Sequence, residues 1–142
     1  KYEFTYTAYK AFFKKNNFST KRKILPPNKL DFHNFINNTS IATSSMMIRK
    51  KFIKKLKLSK SPNFEDFYLK CPILKTIKFA YCLNKYLLEY RLRSNSLSTK
   101  SRLKNLFWIW KINRKFNKLN FLECLISLIS ISLNSIRKYG LK

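Results

Sequence analysis

The chain has 142 residues and carries 31 Lys and Arg against 6 Asp and Glu, a net charge of +25. At 45% hydrophobic and 16% aromatic it is too apolar for a disordered basic tail, and one Gly and three Cys exclude collagen-like and disulfide scaffolds. Charge of this size repels itself, favours a polyanionic partner and argues against an ordinary soluble enzyme. The length suits a single domain, 1–142, with an aromatic and basic N-terminal region (1–45) and a helical body (46–142).

Along the chain, residues 6–15 fit either a helix or a strand. Residues 21–29, broken by Pro26 and Pro27, read as an extended basic arm that includes Lys21, Arg22 and Lys23. A basic helix is expected over 46–58, with Met46, Ile53 and Leu56 on one side and Arg49, Lys50, Lys51, Lys54, Lys55 and Lys57 filling the rest. A short helical turn over 62–69, capped by Ser61, leads into a longer helix. That helix begins at Pro72, which suits a first helical position, and runs to Arg93 with Ile73, Leu74, Ile77, Ala80, Tyr81, Leu83, Leu87 and Leu88 on its apolar face.

After a Ser-rich loop, a second basic helix covers 100–118. It turns Leu103, Leu106, Phe107 and Trp110 inward, with Lys100, Arg102, Lys104, Lys111, Arg114, Lys115 and Lys118 around them. The clearest helix is 121–139, where Asn120 caps the start, Glu123 completes a capping box and Gly140 ends it. Leu122, Leu125, Ile126, Ile129, Leu133 and Ile136 share one face of it, and Glu123, Ser127, Ser130 and Asn134 another. Helices 72–93 and 121–139, low in charge and strongly apolar, form the expected core. The expected fold is therefore mostly α, a small domain of about four helices preceded by an extended basic arm.

Catalytic equipment is sparse. The single His, His33, has no nameable partner for acid–base work. Glu65 and Asp66 are adjacent and point about 100° apart on a helix, so they do not form a paired-carboxylate site. The single Gly is too few for a phosphate loop. Cys71, Cys82 and Cys124 lack paired ligand spacing for zinc and read as reduced, mostly buried thiols. No enzyme activity, metal or cofactor is expected.

Basic residues interleaved with aromatics carry the positive signal. Lys and Arg gain affinity for phosphates by counterion release, and an exposed ring can stack on an unpaired base. Residues 44–60 and 100–118 each hold 7 basic groups and no acid, which makes them candidate RNA contacts. Trp108 is the stacking candidate, and Trp110 reads as core.

Phe, Tyr, Met, Ile, Asn and Lys supply 74 of the 142 residues, and Val and Gln are absent. This is the mark of AT-rich coding. In that composition, and in its acid-poor, Lys-rich style, the whole chain resembles ribosomal proteins encoded in AT-rich mitochondrial genomes. Lys23, Ile24, Leu25 and Pro26 also resemble, faintly, a stretch of a bacterial small-subunit ribosomal protein. The resemblance implies a structural constituent of the mitochondrial ribosome in the matrix, bound to ribosomal RNA and neighbouring ribosomal proteins. The alternative is a basic accessory subunit of a mitochondrial inner-membrane complex, with helix 121–139 against lipid or membrane protein.

Overall fold

The computed structural model describes residues 2–15, 18–54, 65–92 and 102–140. Its elements run β1 (Phe4–Lys15), β2 (Phe18–Ile24), β3 (Lys29–Leu30), α1 (Phe32–Asn38), a 3-10 turn at Thr43–Ser45, β4 (Met47–Ile48), α2 (Lys50–Ile53), α3 (Glu65–Thr76), β5 (Ala80–Leu92), α4 (Arg102–Lys115) and α5 (Phe121–Tyr139). The strands form a five-stranded mixed sheet in the order β2-β1-β5-β3, with β4 on the start of β1. The fold is thus mixed α/β, which corrects the expectation of a mostly α domain.

Three expected elements change identity. Residues 6–15 take the strand alternative, and of the expected arm at 21–29 residues 21–24 belong to β2, antiparallel to β1 with Lys10 opposite Lys23, while Lys29 opens β3. The helix expected over 72–93 divides into α3, which starts at Glu65 and carries Pro72 inside it, and the strand β5. Of the helix expected over 46–58, Met47–Ile48 is strand and only Lys50–Ile53 is described as helix. Lys55 and Lys57 lie outside the described residues, as does Lys100.

Pairing with β1 explains why the segment after Ala80 is strand. β5 runs parallel to β1, and beyond a bulge at Ala8 it sets Leu88, Tyr90 and Leu92 opposite Tyr9, Ala11 and Phe13. A parallel pair needs a long crossover, which residues 16–79 provide. Phe4, Tyr6, Thr7, Ala8, Tyr9 and Ala11 of β1 are buried, so this part of the strand is covered on both faces. Phe4 and Tyr6 enter the main core with Phe35, Ile73 and Ile112, whereas Tyr9 and Ala11 join Ile24, Leu88, Tyr90 and Tyr139 in a smaller cluster on the other side.

Helix α5 keeps its expected bounds and capping box, Asn120 and Glu123 exchanging hydrogen bonds of 2.8 Å. Its orientation is the reverse of the expected one. Cys124, Ser127 and Ile131 are buried, while Leu122, Leu125, Ile126, Ile129, Leu133 and Ile136 are exposed.

The reason lies in α1, a seven-residue helix whose last carbonyls have no partners of their own. Ser127 Oγ donates to the Ile36 carbonyl at 2.6 Å, Asn134 Nδ2 to that of Asn37 at 3.1 Å, and Lys138 Nζ to that of Asn38 at 2.6 Å. Positions 127, 134 and 138 lie on one face of a helix, so α5 turns its donors, not its leucines, toward α1. Behind Ser127, Asn113 Nδ2 donates to Ser127 Oγ and Asn117 Nδ2 to Asn113 Oδ1.

Candidate active site

A cavity of about 270 Å³ opens where the loop after α1 meets the start of α3 and the far side of the sheet. Tyr9, Tyr90 and Tyr139 supply aromatic wall, Ile41 and Ala42 apolar wall, and Thr39, Thr43, Ser44 and Asp66 its polar atoms.

Local geometry sets each of these. Thr39, in the left-handed region at φ 47°, ends α1 by donating its N–H to the Phe35 carbonyl at 2.8 Å. The chain then turns through the 3-10 segment, held by Ser45 Oγ donating to the Ala42 carbonyl at 2.9 Å. Asp66 lies in the first turn of α3, where the helix dipole favours a carboxylate. Tyr9 Oη and Tyr139 Oη share a hydrogen bond of 2.8 Å that joins β1 to the end of α5.

Lys70, one helical turn after Asp66, has its side chain only 3% exposed. Its ammonium donates to Thr43 Oγ1 at 2.8 Å, to the Ile41 carbonyl at 3.0 Å and to Asp66 Oδ2 at 3.3 Å, which uses all three of its protons. Thr43 Oγ1 in turn donates to Asp66 Oδ2 at 2.9 Å.

Burial pushes the Asp66 carboxyl up. The Lys70 ammonium and the hydrogen bonds from Thr43, Lys70 and the Phe67 amide outweigh it and hold the group below the ordinary carboxylate value. Burial lowers Lys70, against the pull of Asp66. The result is an oriented, ionised carboxylate with its side chain half exposed at a cavity edge. Such a group can accept a proton from a hydroxyl brought against it. Tyr9, Tyr90 and Tyr139 line the same cavity, Tyr9 being buried and the other two half-buried.

The basic residues singled out in the sequence lie elsewhere, on separate elements. Lys21, Arg22 and Lys23 stand exposed along β2, with Lys21 3.1 Å from Glu89 and Lys23 over the Tyr86 ring. Lys50, Lys51 and Lys54 are exposed at α2, where Lys51 pairs with Glu3 and Arg49 Nε donates to the Tyr2 carbonyl. β2 pairs with the second half of β1 and β4, just before α2, with its first two residues. At a strand rise of ~3.3 Å per residue these two basic groups sit about 20 Å apart along β1.

On α4, Lys104, Lys111 and Lys115 are exposed and Trp108 is half-buried, with Lys111 over its ring at 4.8 Å. Arg102 opens that helix, Arg114 donates to the Leu119 carbonyl at 2.8 Å, and Lys118 is exposed in the loop that follows. The structure therefore places the described cations on three separate elements, β2, α2 and α4 with the loop that follows it. It assembles instead Asp66, Thr43 and Lys70, with Tyr9, Tyr90 and Tyr139 nearby; sequence reasoning weighed Asp66 only as half of a carboxylate pair and set it aside, and named none of the others as a site. The i,i+4 spacing of Asp66 and Lys70 was the one legible signal of that group.

Over 112 residues the chain is 25% identical to TuaG of Bacillus subtilis, a protein named as a teichuronic acid biosynthesis glycosyltransferase. The aligned part is 79% of this chain and 44% of TuaG, so the chain spans less than half the length of that relative. No family model and no solved structure matches the chain.

This likeness overturns two expectations. It points to a biosynthetic enzyme instead of a structural, RNA-binding constituent of the mitochondrial ribosome, and it removes the exclusion of enzyme activity. The error has a physical source: surface charge says what a protein is drawn to, not what chemistry its cavities perform.

Proposed function

We propose that this chain is part of a sugar-transferring enzyme in which Asp66 is the general base. The observation that carries the reading is the Asp66 carboxylate, fixed by Thr43 and Lys70 at the edge of a tyrosine-walled cavity. The likeness to a glycosyltransferase supports it.

Transfer of a glycosyl group to an acceptor hydroxyl forms a bond from the acceptor oxygen to the anomeric carbon and breaks the bond to the leaving group. The acceptor proton must go to a base as that bond forms. Asp66 is ionised at neutral pH, points from the start of a helix, and is held in one orientation by two donors on the same oxygen. Its lowered proton affinity reduces its strength as a base and keeps it in the receptive form. Tyr90 and Tyr139, half-buried at the cavity wall and packed on Tyr9, orient the sugar ring against it.

The test uses the full-length protein and a panel of nucleotide-activated sugars, with release of the nucleotide as readout. Asp66→Asn, which keeps size and polarity, lowers turnover by about 10²–10⁴-fold. Donor binding, followed by tyrosine fluorescence, is retained. Turnover within a few-fold of wild type in a folded Asp66→Asn protein would remove Asp66 from the chemistry and end this reading.

A further inference from the structure

We infer that α4 and α5 together form a docking face for an anionic lipid surface. The inference stands independently of the sugar-transfer reading. Its first ground is the inverted orientation of α5. Leu122, Leu125, Ile126, Ile129, Leu133 and Ile136 are each 40–63% exposed. They form a stripe about 21 Å long at a helical rise of ~1.5 Å per residue. The opposite face of the helix is already committed to α1 through Ser127, Asn134 and Lys138. Apolar surface of this extent with no partner among the described residues marks an interaction site.

The second ground is what α4 adds. Leu103 and Phe107 are 82% and 60% exposed, and Trp110 contacts Phe121 edge-on at 5.3 Å between ring centroids. That contact joins the exposed side of α4 to the stripe on α5. Helix α4 carries five Lys and Arg and no acid. Lys104, Lys111, Arg114 and Lys115 are exposed on it beside Leu103 and Phe107. In the sequence, apolar stripe and basic cluster belong to different helices; the fold places them on adjoining faces.

Charge decides the occupant. A second copy would bring +25 against +25 with the same acid-free α4 in the contact. An anionic bilayer meets that charge with its opposite, and a surface of aliphatic residues bordered by Trp, Phe and Lys is the composition that lies in the headgroup region. Among the described residues no helix is long and apolar enough to cross a membrane. The geometry is therefore that of helices lying in the plane of the surface.

Vesicle flotation of the full-length protein tests this, with phosphatidylcholine vesicles made with and without phosphatidylglycerol. The expected result is binding to the anionic vesicles, weakened by salt and by Lys111→Gln with Lys115→Gln. Leu125→Ser with Ile129→Ser should weaken binding by roughly tenfold or more. All four positions are exposed, so the variants keep the wild-type circular dichroism. Absence of binding by the folded protein overturns the inference, and so does binding that the Leu125/Ile129 pair leaves unchanged. A dimer in sedimentation that the same pair dissolves would assign the face to a second copy. Slow hydrogen exchange along α5 without lipid, in a monomer that binds no vesicles, would assign it to another part of the same protein.

Discussion

Lys70 illustrates how one side chain can set the chemistry of another. An ammonium buried to 3% exposure is costly unless every proton finds an acceptor, and here each does. The result is a fixed positive charge under Asp66. Because the folded carboxyl is held low, its contribution to stability is complete above about pH 4, the ordinary carboxylate value. It is lost as pH falls through the lower, folded-state value. Lys70→Met keeps the burial that raises Asp66 and removes the strongest influence that lowers it. The stability of that variant, followed by circular dichroism, should therefore fall less than that of wild type as pH drops from 7 into the acid range. At pH 7 it should be less stable by about 1–3 kcal/mol in urea, since the Ile41 carbonyl loses its donor. A pH dependence unchanged from wild type would show that the other hydrogen bonds to Asp66 suffice without Lys70.

At the level of elements, the sequence shows best what is local. The capping box of α5 is local, and Asn120, Glu123 and Gly140 mark its ends correctly. The direction it faces is not local, because it depends on the orphaned carbonyls of α1, some ninety residues earlier in the chain. Helical spacing of leucines identified a helix and misidentified its buried side. β5 failed for a related reason: Ile73, Leu74, Ile77, Ala80 and Tyr81 continue a helical period across the break at residues 77–79. The alternation of Leu88, Tyr90 and Leu92 emerges only after a bulge. The candidate site was hidden by the same limit. Asp66 sits beside Glu65 in sequence, but its partners Thr43 and Lys70 are brought to it by the loop after α1 and the turn of α3. The inverted orientation of α5 yields a contrast that urea denaturation can measure. Ser127→Ala strands the Ile36 carbonyl and the Asn113 amide, and should cost about 1–3 kcal/mol. Ile129→Ser, on the exposed face, should stay within about 0.5 kcal/mol of wild type despite removing the larger apolar group. A larger loss from Ile129→Ser than from Ser127→Ala would reverse the assignment of the two faces.

For the molecule as a whole, charge and packing act in opposite directions. The described residues form three ion pairs, Lys21–Glu89, Lys51–Glu3 and Lys70–Asp66, against a net charge of +25. Two of the three are exposed and contribute little. The remaining cations repel one another over distances that salt controls, since the Debye length falls from about 30 Å at 0.01 M to about 8 Å at 0.15 M. The basic groups on β2 and near α2, about 20 Å apart along β1, therefore interact at the lower ionic strength and are screened at the higher. Raising sodium chloride over this range should raise the thermal midpoint. Replacing Lys50 and Lys54 by Gln should raise the midpoint at low salt and reduce the further gain from salt. The same change of salt weakens attraction to an anionic surface, so one variable strengthens the fold and loosens the docking. Differential scanning fluorimetry at the two ionic strengths checks the first effect. A midpoint that does not rise with salt would mean that the described surface already holds its cations far enough apart for their repulsion to be negligible.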